Sequence, residues 1–429
     1  MKIALANNLI ELAKGFKDKG STLYVVGGYV RNALLGRFDT DTDLAGPLVM
    51  EEVEDVARTL GWRFQVVNKK LGTILLSKNK DHYEYSCFRS ENYNIGGEHT
   101  PSSVDFVTDI RVDAARRDFT VNALYYDILE DNILDFNNGI QDLNEHKLVA
   151  IGSPQRVFSS DGLRVLRMIR QAGDLGFNVD KKTFKTATEM AYQLKDISKE
   201  RILYELVRIS CSDYVKIAIK LMNKSKMWRY ITNLPTSFKL PTKKMIDAVE
   251  KAPLEWTFEF FICAIIFKKL KGNLNGFNNL SFHIDQIIGN GGLKASKKIC
   301  SKVRELYHLI YIFLKNNAPL TAAQKYYMLR DDLKSSFIAL DDKKEFLLSS
   351  FIDSCIKQKI PLGVEQLNIN SDTLLKQEIP AKHITAIKQI LVYNCMNGNL
   401  KNEEEDLIKG AKKANHYLNQ VLKNKQSSY

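Results

Sequence analysis

Apolar residues in MKIALANNLIELAKGFKDKG recur at helical spacing, so the first twenty residues read as an amphipathic helix. From residue 21 to 150 the pattern changes to short β-rich runs alternating with helical ones. STLYVVGG is a β run ending in glycines, YVRNALLG gives one or two helical turns, and MEEVEDVARTLG is an amphipathic helix stopped by Gly61. FQVV, GTILLSK, HYEYSCF and SSVDFV read as strands. From about residue 155 the spacing turns helical and stays so. DGLRVLRMIRQAGDLGF carries Arg164, Arg167 and Arg170 at i, i+3 and i+6, and ERILYELVRIS follows. Helices beyond 214 are separated by breaks such as NKSK, NLPTS and KGNLNGFNN, and KNEEEDLIKGAKKANHYLNQVLKNKQSSY is one charged helix with a frayed end. The predicted class is α+β: a head with a mixed sheet (1–150), a helical neck (151–213) and a helical remainder (214–429).

Composition narrows this picture. With 45% hydrophobic and 26% charged residues, the chain is globular and not disordered. FFICAIIF (260–267) is too short to span a membrane and runs into Lys268 and Lys269, and the N-terminus lacks a signal-peptide h-region, so a cytoplasmic protein is expected. The six cysteines are scattered with no CxxC pair and are expected to be reduced thiols. The seven histidines form no HxxxH or HD pattern, which argues against a histidine-based metal hydrolase. The net charge of +12 is uneven: residues 1–150 hold 17 Lys and Arg against 23 Asp and Glu, leaving a surplus of +18 for the rest. A polyanion-binding surface would look like this, and so would a set of solvated Lys-rich helices.

Four groups of residues carry candidate chemistry. Gly27 and Gly28 lie between a strand and a helix, where glycine lets backbone N–H groups approach a phosphate, and Arg31 suits a bidentate hold on a triphosphate. Asp41 and Asp43 form a D-x-D; in a strand both carboxylates face one side, as hard ligands for Mg²⁺, and the alternative is an Asp-rich turn. Glu84 is the candidate third acid, facing away from Tyr83 and Tyr85 in its strand. Arg116, Arg117 and Asp118 in RRDFTVNAL suit either phosphate contact or an internal ion-pair network.

In DGLR, Asp161 and Arg164 are three apart and share a face if both are helical. Cytosine and adenine present an amino donor beside a ring-nitrogen acceptor, which a carboxylate and a guanidinium match. Guanine and uracil present the reverse pattern, so such a pair accepts C and A and rejects G and U. The commoner alternative is a surface salt bridge.

In order, VGGYVRNALLGR, DTDLAG, LGTILL, YEYSCFR, YNIGGEHTPSSVDF, RRDFTVNAL, DFNNGIQDL, SDGLRVLRMIRQAGDLGF and ISKERILYEL resemble the class II tRNA nucleotidyltransferases, the family of CCA-adding enzymes and bacterial poly(A) polymerases. The resemblance covers about residues 22–210 and implies a polymerase-β-like head followed by all-helical neck, body and tail. It implies addition of C and A to the tRNA 3′ end from CTP and ATP, with Mg²⁺ as cofactor, tRNA as partner, and no membrane or obligate protein partner. Asp41 and Asp43 would hold the metals with Glu84 as third acid, and Gly27, Gly28 and Arg31 the triphosphate. Arg116, Arg117, Asp118 and Asn122 would belong to the nucleotide site, Asp161 and Arg164 would read the base, and Arg167 would also bind substrate. Segment 90–103 would be a flexible loop, and Glu200 and Arg201 would support the pocket. This chain departs from the family pattern at Asn32, where Asp is usual, and at Ser160 and Gly162, where EDPLR has Glu and Pro. The rivals are a CC-only, A-only or poly(A)-adding enzyme, a non-catalytic RNA-binding protein, and a basic scaffold.

Overall fold

The computed structural model describes residues 3, 5–37, 41–93, 101–232, 234–235, 237–240, 243–270, 280–314, 333–341 and 345–426. They divide into two compact units, residues 1–239 with 286–295 and residues 240–285 with 296–429.

The first unit is built on a seven-stranded sheet. Its strands are β1 (Tyr24–Val26), β2 (Asp43–Gly46), β3 (Arg63–Asn68), β4 (Thr73–Lys78), β5 (Asp81–Cys87), β8 (Leu124–Asp127) and β9 (Asn132–Asp135). The order is β3-β4-β5-β2-β1-β8-β9. All neighbours are antiparallel except β2 and β5. The alternation read in HYEYSCF holds: Tyr83 and Tyr85 are buried and Glu84 is exposed. Val25, Leu44, Ile74 and Tyr85 form one core with Leu12 and Phe16 of α1 (Asn7–Asp18), and with Val53 and Val56 of α3 (Met50–Thr59). Val26, Ala45, Phe88 and Tyr125 join Ala114 in a second cluster.

Two parts of the head differ from the sequence reading. The hairpin β8–β9 carries no alternation to read, because all four β8 residues are buried. SSVDFV forms β7 (Ser103–Phe106), but among the described residues it pairs only with the unforeseen β6 (Arg89–Asn92), in a separate ribbon. Of segment 90–103, residues 94–100 lie outside the described residues.

The neck contains α6 (Pro154–Ser160), α7 (Arg164–Leu175), α8 (Lys181–Glu189) and α9 (Lys199–Ser210). It is not purely helical: Asn178–Val179 pairs in parallel with Lys147–Leu148. Arg170 joins α7 to α9, donating to Glu205 at 2.8 Å and to Asp174 at 3.0 Å.

The second unit is helical among its described residues. Helix Leu254–Lys269 is buried continuously from Trp256 to Ile266, which is why its sequence is apolar all round. No described helix is long and apolar enough to cross a membrane.

Candidate active site

Sheet register decides the placement of the acids. Asp43 opens β2 and lies directly across from Glu84 of the parallel β5, and across from Val26 of β1 on its other side. Residues opposed across neighbouring strands share a face about 5 Å apart. Asp41 sits two residues earlier, exposed and outside the strand. The D-x-D is therefore only half in the sheet. Asp43 is open to solvent on one side, yet desolvation by the protein around it, with Glu84 and Asp41 adding to it, pushes its carboxyl up to about 6. A hard divalent cation relieves such crowding of carboxylates, so the donor set fits Mg²⁺. Among the described residues no three acid, Cys or His side chains close around one point. The fit is thus the open kind, one or two carboxylates with water and phosphate completing the shell.

Beside Asp43 opens a cleft of about 490 Å³, lined among the described residues by eight arginines and four aspartates. The surplus of cations suits an anionic ligand such as a triphosphate. Of the residues singled out from sequence, Gly27, Gly28, Arg31, Asp43, Arg116, Arg117, Asp118, Asn122, Asp161, Arg164 and Arg167 line it. Asp41 and Glu84 do not.

On the head side, Gly27 has φ of 71° and ψ of −129°, a conformation that needs glycine, and it sets the start of α2 (Gly28–Leu34). Arg31 points across to Asn122, donating from Nη1 to Oδ1, and donates from Nε to Asn32 Oδ1 at 2.9 Å. Burial lowers its guanidinium to about 10. Asn32, where the family pattern has Asp, therefore holds Arg31 without neutralising it.

Arg116 and Arg117 belong mainly to an ion-pair network around Asp113, a residue that the sequence reading passed over. Asp113 is fully buried in α4 (Ile110–Ala115). It accepts from Arg116 at 2.7 and 2.9 Å, from Arg117 at 3.1 Å and from the Tyr125 hydroxyl at 2.5 Å. Burial alone would raise its carboxyl, but Arg117 and Arg116 outweigh it and hold it at about 2. Glu91 is a second missed acid, nearly buried, taking Arg89 at 2.7 Å, Arg116 at 3.2 Å and the Tyr93 hydroxyl at 2.6 Å. Both acids fix the arginines from behind the cleft.

The neck supplies the other wall. Arg167 donates twice to Asp118, at 3.0 and 2.7 Å, and Asp118 also takes the Asn122 amide at 3.0 Å. Burial would raise Asp118, but Arg167 and Arg164 hold it well below the usual carboxylate range. Asp161 and Arg164 do not share a helical face. Asp161 is extended, with φ of −152° and ψ of 110°, and α7 begins only at Arg164. The Asp161 carboxylate caps the turn by accepting from the Leu163 N–H at 3.0 Å, a local bond that competes with helix. Gly162 sits in that turn, where a Cβ would lie 2.8 Å from Gln193 Cβ; this close approach explains glycine at a place where the family has proline. Asp161 and Arg164 still both line the cleft, presented by a turn and not by a helix face. Arg201 of α9 donates to Asp161 at 2.6 Å, whereas Glu200 is exposed and pairs with Lys294 at 3.4 Å.

Residues 23–149 match the family model described as the poly A polymerase head domain, and residues 176–235 match one described as a probable RNA and SrmB binding site of polymerase A. The chain is 37% identical over 233 residues to the CCA-adding enzyme of Lactococcus lactis subsp. cremoris strain MG1363, covering 53% of this chain and 56% of that one. It is 31% identical over 261 residues to the CCA-adding enzyme of Staphylococcus epidermidis, covering 61% and 62%. The chain thus spans little more than half the length of the curated relatives it matches. Its fold is similar to that of the Bacillus stearothermophilus CCA-adding enzyme in complex with CTP, with a TM-score of 0.64 at 20% identity over 97% of this chain and all of that one. It is also similar to the Thermotoga maritima CCA-adding enzyme complexed with tRNA, with a TM-score of 0.57 at 20% identity over 95% of each chain.

Proposed function

We propose, from the membership of residues 23–149 in the poly A polymerase head-domain family, that this chain adds C and A to the 3′ end of tRNA from CTP and ATP. What supports this most is the cleft itself. One compact unit brings Asp43, with Glu84 beside it in the sheet, to the rim of one cavity of nucleotide size that the arginine-rich floor and the Asp161–Arg164 turn also line. The relatives that match along the head and neck carry the name CCA-adding enzyme. A chain that had become a mere RNA-binding module would have no need to keep Asp41, Asp43 and Glu84.

In this reading Arg31 and the Gly27–Gly28 backbone take the triphosphate. Asp161 accepts from the exocyclic amino group of the base, and Arg164 donates to the ring nitrogen. The tRNA 3′ oxygen attacks the α-phosphorus in line, and pyrophosphate leaves. Asp43 and Asp41, beside Glu84, would hold Mg²⁺, which when bound supplies a more acidic 3′ hydroxyl and neutralises charge on the triphosphate. Asp113 and Asp118 keep Arg116, Arg117 and Arg167 oriented. The basic surplus outside the head would meet the tRNA backbone in the cytoplasm.

The deciding experiment supplies tRNA lacking CCA with CTP alone, ATP alone, both, or all four nucleotides. Growth by C, C and then A supports the proposal. Growth by C alone, by A alone, or by a long A tail identifies one of the narrower enzymes, and no growth with intact tRNA binding removes the catalytic reading.

A further inference from the structure

We propose that Ser160 is a positioning residue for base selection, its neutral hydroxyl setting the direction of the Arg164 guanidinium. The proposal rests on the reading of the cleft given above and names the group behind its specificity. Ser160 is the last residue of α6 and only 6% exposed, so it touches no ligand itself. Its hydroxyl donates to the Val157 carbonyl at 2.9 Å, one turn back. That bond commits the proton and turns an oxygen lone pair outward. Arg164 Nη1 donates to this oxygen at 2.7 Å and to the Val157 carbonyl at 3.2 Å, and Nη2 donates to the Arg116 carbonyl at 3.2 Å.

All three acceptors are uncharged. A guanidinium has five N–H groups in a rigid plane. Three are spent here on holding the plane, so among the described residues Nε–H and one Nη2–H are left to meet a base edge. A carboxylate at position 160, the residue type of the family pattern, would form a charged pair with Arg164. The serine keeps the orientation and leaves the charge unpaired at this contact. The Arg164 fork is thereby referenced to the end of α6 and to the Arg116 backbone, that is, to neck and head together.

Selection of C and A over U and G depends on where the remaining N–H groups point, because the rejected bases differ in donor and acceptor pattern and not in charge. Loss of the Ser160 hydroxyl leaves Nη1 with its longer bond only and lets the plane tilt. The ratio between nucleotides should therefore move more than the rate with the right one.

The test measures kcat and KM for all four nucleotides on tRNA lacking its 3′ end, for the wild type and for Ser160→Ala, Ser160→Thr and Ser160→Cys, with a melting curve for each. Wild-type preference for CTP and ATP is the arm that decides the proposed function; without it that reading fails, whatever the variants do. Given that preference, Ser160→Ala should lower the kcat/KM ratios of CTP over UTP and ATP over GTP by roughly two- to tenfold, the worth of one net hydrogen bond. The loss should appear mainly in KM. Ser160→Thr, which keeps an oxygen at the same place, should retain the wild-type ratios. Should Ser160→Ala not fold, Ser160→Cys, with its weak acceptor, should move the ratios in the same direction. Unchanged ratios in folded Ser160→Ala or Ser160→Cys overturn the proposal. So does an equal loss in Ser160→Thr, or a uniform fall in kcat for every nucleotide, since either would assign the serine to packing alone.

Discussion

Replacing Asp113 by asparagine is expected to destabilise the head while leaving its surface unchanged. The wild-type carboxylate is completely buried and serves two guanidinium groups and a tyrosine hydroxyl at once. Asparagine keeps the shape but removes the charge and presents an N–H₂ where one of the acceptor oxygens was. Two arginines would then sit beside a neutral group in a poorly solvated place, with Glu91 as the remaining acid on Arg116. Breaking a buried pair by removing one partner costs about 3–5 kcal/mol. An independent figure comes from the carboxyl itself: held at about 2 in place of 3.8, it contributes roughly 2 kcal/mol at neutral pH, which sets the lower end. Because the chain has two compact units, a single melting temperature would mix them. Amide hydrogen exchange read by mass spectrometry on peptides spanning 110–127 reports the head alone. Protection there should fall roughly 10²- to 10³-fold in Asp113→Asn, with peptides of residues 380–420 unaffected. The pH dependence has a definite sign. The folded carboxyl lies below its unfolded value, so the contribution is full above about pH 4 and is lost as pH falls toward 2. The gap between wild type and variant should therefore close in that window and stay constant from pH 5 to 8. A variant as well protected as the wild type at pH 7 would show that the arginines do not depend on Asp113.

Asp43→Asn and Asp41→Ala should each abolish nucleotide addition while leaving tRNA affinity intact, and near-normal turnover of either with Mg²⁺ would remove the metal assignment. Asp161→Ala and Arg164→Ala should each cost on the order of 1–3 kcal/mol of discrimination, read as increased UTP and GTP incorporation. Unchanged selectivity in both, with the fold intact, would make them a structural pair only. Affinity for tRNA should fall steeply and linearly on a plot of log K against log salt, as counterion release requires, and a flat line would count against backbone recognition by the basic helices.

The legible parts of the molecule were those with local causes. Tyr83, Glu84 and Tyr85 alternate in sequence and alternate in burial, so the strand and the outward acid could both be read. The stop of α3 at Gly61 is likewise local, since that glycine takes φ of 70°. What could not be read was non-local or had two competing local solutions. Nothing in the sequence says that β5 lies parallel to β2, so the adjacency of Asp43 and Glu84 waited for the sheet order. Arg201 reaches Asp161 across 40 residues. DGLR was misread because helical spacing and an Asp side chain bonding to a backbone N–H two residues on are both compatible with it, and the close pass of Gly162 over Gln193 favours the turn. Asp113 did leave a signal. It stands three and four residues before Arg116 and Arg117, the spacing of ion pairs on a helix.

The pairing of Asp43 with Glu84 ties the candidate site to the core more closely than a list of its residues suggests. The same register that faces Glu84 toward Asp43 buries Tyr83 and Tyr85 on the reverse of β5, with the Tyr85 hydroxyl tied to the Leu48 carbonyl at 2.8 Å. A strand has a period of two, so a slip by one residue would bring a tyrosine ring beside Asp43 and turn the acid into the apolar layer. Tyr85 therefore indexes the strand. Variants that loosen Tyr85 or Leu48 should score as catalytic defects in an activity screen although neither residue lines the cleft. Under the proposed function, drift in this part of the core would be constrained by turnover as well as by stability.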